Sequence, residues 1–311
     1  MKSVAVTSRS FSKHPVLRKK LLKKYPDAKF NDKGLILMGD DLINFLKGYQ
    51  KAIVALEVID NDIISQLPEL KVISKYGVGL DTLNLDALHR YDVKLGWTGG
   101  VNKRSVSELV ISFAISLLHK TVFANAEVKN GKWYQVKGRQ LSECTFGILG
   151  CGHIGKDVVR LLQPFNCKII VNDIKNYEDF YEKYKITPVS LNELLSKSDV
   201  LTIHLPLDNS TKNILNKTNL HSLKKNSVLI NLARGGLIDE NELKKMIIDK
   251  KIAGIALDVF EHEPPKDKEL FLLDNVLATP HIGGSTEEAI IKMGMSAIEG
   301  LDSYKDACEY K

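Results

Sequence analysis

No apolar run in this 311-residue chain approaches the roughly 20 residues a membrane-spanning helix needs. Nor does the start read as a secretory leader, because Met1-Lys2-Ser3-Val4-Ala5-Val6 enters an alternating strand pattern with no apolar core or small-residue cleavage site. The expectation is a cytoplasmic protein with no membrane partner. Cysteine is scarce: Cys144, Cys151, Cys167 and Cys308 form no CxxC pair and no metal-ligand spacing, which predicts reduced thiols and no metal. Internal repeats, low-complexity tracts and Ser/Pro-rich linkers are also missing. The net charge of +6 is spread along the chain. Its densest cluster, Arg18-Lys19-Lys20 with Lys23-Lys24, reads as the solvated face of an amphipathic helix, not a nucleic-acid footprint. A mildly positive surface suits a small anionic substrate. What is present is ordinary for a folded protein, 44% hydrophobic and 26% charged, in a chain too long for one core, so two domains are expected.

Strand and helix patterns alternate throughout, which predicts parallel sheets with helices on both faces. In the first hundred residues the strands are expected at 4–7, 52–56, 72–76 and 93–97, with helices at 15–25, 41–46, 61–67 and 83–91. The rhythm then changes to one long, mostly apolar helix over 105–128, ended by the turn signal Asn130-Gly131. A helix apolar on more than one face needs cover, from its own chain or from another subunit. A second α/β run follows, with strands at 145–149, 168–171, 200–205, 227–231, 254–258 and 276–279 and a last helix over 287–304. Domain boundaries are expected at Gly99-Gly100 and again at Gly283-Gly284.

The strand 145–149 leads into Gly150-Cys151-Gly152-His153-Ile154-Gly155 and then a helical pattern. A lone GxGxxG is weak; between a strand and a helix it carries a mechanism. Gly150 permits the tight turn, Gly152 lets backbone approach a pyrophosphate, and Gly155 lets helix and strand pack closely. The helix start, with His153 and Ile154, offers N–H groups to the same anion. The next strand ends in Asp173, 18 residues after Gly155. An acid there accepts hydrogen bonds from a ribose 2′-OH and repels a 2′-phosphate, so the cofactor is expected to be NAD and not NADP, with Lys175 offsetting part of that charge.

Three further strand ends carry unusual polar residues: Arg234 in Asn231-Leu232-Ala233-Arg234-Gly235-Gly236, Glu263 in Asp258-Val259-Phe260-Glu261-His262-Glu263-Pro264, and His281 in Thr279-Pro280-His281-Ile282-Gly283-Gly284. A lone polar residue in a loop is usually solvated surface. Three of them at strand ends of one parallel sheet, each flanked by Gly or Pro, share the rim where such sheets bind ligands. The types suit oxidation of a 2-hydroxy acid. Hydride leaves C2 as the hydroxyl proton is removed, and histidine is matched to that transfer near neutral pH. A carboxylate orients the imidazole and favours the protonated ring that reduction requires. An arginine forks onto a substrate carboxylate. His281 is therefore assigned as acid/base, Glu263 as its partner and Arg234 as substrate anchor.

These motifs, with Lys75-Tyr76-Gly77-Val78-Gly79-Leu80-Asp81 and His204-Leu205-Pro206-Leu207, resemble the D-isomer-specific 2-hydroxyacid dehydrogenase family over about 71–284. The resemblance implies two doubly wound α/β domains. A Rossmann NAD-binding domain, 100–283, would be inserted into a flavodoxin-like substrate domain made of 1–99 and 284–311. It implies that Val78 and Gly79 offer backbone N–H groups to the substrate carboxylate, that Asp258 contacts the nicotinamide amide, and that His204, Pro206 and Thr211 lie near the cofactor. It also implies a homodimer formed through the helices after Asn102.

Three departures stand out. Gly99-Gly100 replaces the family's Pro-Gly before Asn102, which loosens a hinge, and Glu143-Cys144 replaces a Gly-Lys before the first NAD strand. Ala55-Leu56-Glu57 stands where many phosphoglycerate dehydrogenases carry Arg-Ser, and a glutamate there repels a phosphate. Against this, Asn102–Glu108 resembles the Asn-x-Arg-Ser-Val-Ala-Glu stretch of bacterial phosphoglycerate dehydrogenases, and Lys103 or Arg104 could bind an anionic tail. The substrate expectation stays open between D-3-phosphoglycerate and a related glycerate-type acid. No regulatory serine-binding domain is expected after the last helix. The alternatives are an NAD-sensing, corepressor-like binding protein on the same fold, and a formate dehydrogenase, whose relatives pair the histidine with glutamine where this chain has Glu263.

Overall fold

A computed structural model describes residues 2–266 and 268–310; Met1, Asp267 and Lys311 lie outside the described residues. The chain divides into two compact units, one of 1–102 with 287–311 and the other of 103–286. Each division falls three residues beyond the glycine pairs expected to mark it, because the helices Lys103–His119 and Glu287–Gly300 begin there.

In the first unit five parallel strands, β1 Lys2–Val6, β2 Lys29–Phe30, β3 Tyr49–Val54, β4 Val72–Lys75 and β5 Lys94–Gly96, run in the order β2-β1-β3-β4-β5. This is the flavodoxin-like order, with its switch point between β1 and β3. Apolar side chains alternate across the sheet. Val4, Val6 and Ile53 pack with Phe11, Leu17, Leu21 and the C-terminal helix on one face. Ala5, Ala52, Val54 and Ile73 pack with Leu42, Leu46, Ile64 and Leu88 on the other. Ser74 Oγ donates to the Ala297 carbonyl at 2.6 Å, seating the returning helix on β4.

The second unit has seven parallel strands: β6 Thr145–Leu149, β7 Lys168–Asn172, β8 Thr187–Pro188, β9 Val200–Ile203, β10 Val228–Asn231, β11 Gly254–Leu257 and β12 Val276–Ala278. Their order, β12-β11-β10-β9-β6-β7-β8, is the dinucleotide-fold order with a seventh strand added. Alternation again splits the core: Phe146, Ile148, Val228 and Ile230 face the helices Lys103–His119 and His153–Leu162. Leu201, Ile203, Leu229 and Leu257 face Leu194, Leu243, Met246 and Ile247.

Two expectations are corrected. The single helix over 105–128 is two helices, Lys103–His119 and Thr121–Lys129, meeting at 62° where Lys120 adopts φ +54°. The first buries Val106, Val110, Phe113, Ala114 and Leu118, while the second buries nothing, so the apolar pattern could not mark the break. The edge strands β2 and β8 were not expected; two residues are too short to show a period. Among the described residues no single helix is long and apolar enough to cross a membrane, and only this bent pair, taken together, reaches the required length and composition.

Candidate functional site

All seven strands of the second unit run parallel, so their carboxyl ends share one edge. On that edge lie the glycine loop after β6, Asp173 after β7, His204–Leu207 after β9, Arg234 after β10, Asp258–Glu263 after β11 and His281 after β12. The switch point, between β6 and β9, sits in the middle of the row.

The glycine loop is built for a bound anion. Gly150 has φ +95°, and a Cβ there would meet the His204 carbonyl oxygen at 2.6 Å, so a side chain is excluded by both backbone and neighbour. Gly155 opposes the Gly150 carbonyl at a similarly close approach. Nothing lies within 4 Å of a Cβ on Gly152, and the helix that begins at His153 has no side-chain cap. Its first N–H groups and the positive end of its dipole face open space. Asp173 accepts from Cys151 N at 2.6 Å and Lys175 N at 2.7 Å, which ties the carboxylate to the loop. Each oxygen keeps a lone pair for a ribose hydroxyl. His204 reaches the surface in part, but its Nδ1 is sealed from solvent without a partner, and burial pushes the imidazole down to about 3. Its Nε2 lies 3.1 Å from Thr202 Oγ1. These features fit a dinucleotide. Cys151, inside the motif, is fully buried and its thiol is pushed up to about 11 by that burial, which makes it unreactive.

His281 and Glu263 meet: Nδ1 lies 2.9 Å from Oε2, with both side chains partly open to solvent. Glu263 Oε1 also accepts from Phe260 N at 3.2 Å, which folds the acid back over its own loop. His281 has φ +55°, and its N–H donates to the Asp258 carbonyl at 2.9 Å and the Thr279 carbonyl at 3.0 Å. The Asp258 carboxylate, 1% exposed, accepts from Thr279 Oγ1 at 2.5 Å and from the N–H groups of Ile282 and Gly283 at 2.7 Å. Ser105 Oγ adds a bond to the Gly283 carbonyl at 2.6 Å. The histidine loop is therefore held from both sides.

Arg234 is half-buried, and its Nη1 donates to the Ala233 carbonyl at 2.7 Å. Asn231 braces the turn, donating to the Arg234 carbonyl at 2.8 Å and accepting from Ala233 N at 3.0 Å. A Cβ on Gly235 would lie 2.0 Å from the Phe260 carbonyl, so the arginine and glutamate loops interlock backbone to backbone.

Other expected residues are engaged within their own loops. Thr211 Oγ1 donates to the Pro206 carbonyl at 2.7 Å and accepts from Asp208 N at 2.9 Å, closing the loop 206–211 and leaving Pro206 exposed. In the first unit, Val78 and Gly79 are half-buried in the loop after β4, beside the loop after β3. Lys75 joins those loops through the Ala55 carbonyl and Thr82 Oγ1. Glu57 Oε2 accepts from Ala55 N at 2.6 Å. Arg104, the other side of the substrate question, pairs with Asp157 at 3.0 Å on the glycine-loop helix. Sequence reasoning missed Ser105, Thr279 and Glu240, whose carboxylate accepts from Glu261 N at 2.7 Å and is raised by burial. Ser105 and Thr279 lie in stretches already singled out, 102–108 and 279–284, and Glu240 in none; only the folded loops show which partner each side chain takes.

Residues 111–283 match the model of the D-isomer specific 2-hydroxyacid dehydrogenase family's NAD binding domain. The chain is 36% identical over 246 residues to a hydroxypyruvate reductase of Thermotoga maritima, covering 77% of this chain and 79% of that protein. It is 37% identical over 234 residues to a D-3-phosphoglycerate dehydrogenase of Methanocaldococcus jannaschii, covering 74% of this chain but 45% of that protein. The chain thus spans about half the length of the phosphoglycerate dehydrogenases it matches. In fold it matches the D-lactate dehydrogenase of Aquifex aeolicus solved with NAD and lactic acid, at TM-score 0.82 and 24% identity over 96% of this chain and 93% of that one. The chain belongs to the D-isomer specific 2-hydroxyacid dehydrogenase family, a family of NAD-dependent oxidoreductases, and its second unit is an NAD-binding domain.

Proposed function

We propose that this protein interconverts a small D-2-hydroxy acid and its 2-keto acid with NAD, using His281 as acid/base, Glu263 as the ring's partner and Arg234 as the substrate's anchor. The observation that carries this reading is the 2.9 Å contact of His281 Nδ1 with Glu263 Oε2 on the same strand rim as the glycine loop. With Nδ1 held by the acid, Nε2 is the atom left to exchange a proton with the substrate's C2 oxygen. Bound NAD supplies the hydride acceptor for C2. Gly150, Gly152, His153, Ile154 and Gly155 would cradle its pyrophosphate, and Asp173 its adenosine ribose. His204, Pro206 and Thr211 would lie near the cofactor, and Asp258 would contact its nicotinamide amide. Val78 and Gly79 N–H groups and the Arg234 guanidinium would bind the substrate carboxylate. The hydride exchange also gives these residues work that an NAD-sensing binding protein would not require.

Two details favour an unphosphorylated substrate. Glu57 occupies the Ala55 N–H that an anion would use, and Arg104 is already paired with Asp157. A homodimer through Thr121–Lys129 and the following arm is supported by exposed Val122, Val128, Trp133 and Tyr134. A cytoplasmic location suits four unpaired thiols, two of them buried.

The test is NADH oxidation at saturating cofactor with hydroxypyruvate, pyruvate, glyoxylate, phosphohydroxypyruvate and 2-oxoglutarate. Turnover with at least one unphosphorylated acid is expected, and His281→Ala should lose roughly a hundred- to ten-thousand-fold. NADH binding without turnover on any acid would hand the function to the sensor reading, and equal rates with NADPH would overturn the role given to Asp173.

A further inference from the structure

In the first unit, the helix Leu85–Arg90, strand β5 and the C-terminal turn Ala307–Tyr310 meet at a cluster that the dehydrogenase chemistry does not use. His89 Nδ1 lies 2.8 Å from Asp306 Oδ1, and the same oxygen accepts from Cys308 N at 3.0 Å. One imidazole nitrogen, one carboxylate oxygen and the Cys308 sulfur all lie within 4.8 Å of one another.

We propose that His89, Asp306 and Cys308 form a three-ligand site for a divalent transition cation of the zinc type, stapling the C-terminal turn to the Leu85–Arg90 helix. A nitrogen, an oxygen and a sulfur donor suit a borderline-soft ion that accepts four tetrahedral ligands at about 2.0–2.3 Å. Ligand atoms around such an ion stand roughly 3.3–3.8 Å apart, so the observed spread closes with side-chain rotation of about 1 Å. Water takes the fourth position. On binding, Cys308 gives its thiol proton to solvent, and neutral His89 carries its proton on Nε2, leaving Nδ1 to ligate. The backbone already does part of the organising, because the Cys308 N–H fixes the Asp306 carboxylate that would bridge the other two ligands. Lys94 is the built-in opponent: its ammonium lies 3.1 Å from Asp306 Oδ2 and 2.8 Å from Asp92, and it neutralises charge the cation would use.

The cluster is next to a natural reporter. Trp97 packs edge-on against Tyr310 at 5.5 Å, in the same turn as Cys308. The only other tryptophan, Trp133, is 89% exposed, and Trp133→Phe leaves Trp97 as sole emitter.

The experiment uses tag-free full-length protein, stripped with chelator and kept reduced by a phosphine. Zinc chloride is titrated by calorimetry, and cobalt(II) by absorption and Trp97 emission. The expected result is one ion per chain, a thiolate-to-cobalt charge-transfer band and quenching of Trp97. Cys308→Ser and His89→Ala should each weaken zinc at least roughly tenfold and abolish the cobalt band, with unchanged circular dichroism. Lys94→Gln should tighten binding about threefold or more, as expected for removal of a competing charge at a partly exposed site. Absence of saturable binding, affinity unchanged in Cys308→Ser, or a cobalt complex lacking the thiolate band would each overturn the site.

Discussion

His281 holds a backbone conformation, φ +55°, that few side chains other than Asn, Asp and His adopt without strain. It is kept there by two hydrogen bonds to its own N–H and by the Asp258 carboxylate gripping the next two N–H groups. Asp258→Asn tests this. The amide must turn one NH2 toward a donor, leaving a buried N–H unsatisfied, at a cost of about 1–3 kcal/mol in urea unfolding. If the loop is what matters, turnover should fall further than substrate or NADH binding; an unchanged kcat would free His281 from this support. His204 gives a pH dependence of definite sign. Its ring charges only near 3 in the folded protein but near its ordinary value of about 6.5 when unfolded. The unfolded chain therefore binds one more proton in that window. Stability is complete above about 6.5 and is lost as pH falls toward 3. Urea midpoints measured from neutral to mildly acid pH should fall more steeply in the wild type than in His204→Asn, by the slope of about one proton.

At the scale of elements, the site depends on how neighbouring strand ends lock together. Gly235 lies against the Phe260 backbone at a distance no side chain can share, so Gly235→Ala must push the Arg234 loop away from the Glu263 loop. A displacement near 1 Å at reacting groups costs roughly a hundredfold in rate. The expected outcome is that loss in kcat/KM for the preferred 2-keto acid with NADH affinity little changed, since the glycine loop follows a different strand. A variant that lost NADH binding instead would show that the interlock supports the whole sheet edge. The helical break at Lys120 has the opposite character. It leaves Thr121–Lys129 with no buried residue: Phe123 and Ala124 are half-buried, while Val122 and Val128 are exposed.

For the whole molecule, the exposed Val122 and Val128 of that helix predict assembly. Light scattering should give twice the chain mass, and Val122→Asp with Val128→Asp should shift it to the monomer; a wild-type monomer would return this face to solvent. Within each unit, strand alternation alone accounts for the architecture, as with Val4 and Val6 on one face and Ala5 on the other.

The strand-and-helix alternation, the glycine loop Gly150–Gly155 with Asp173, and the triad types at three strand ends were legible in consecutive residues, because each is a local pattern. Two-residue edge strands and the break at Lys120 were not, since neither disturbs an apolar period. The tertiary structure alone decided that His281 touches Glu263, that Asp258 spends its carboxylate on the histidine loop, and that Glu57 and Arg104 are already engaged. Those contacts join residues 18 to 53 positions apart, or turn a side chain back on its own loop, and only packing selects which partner a polar group takes.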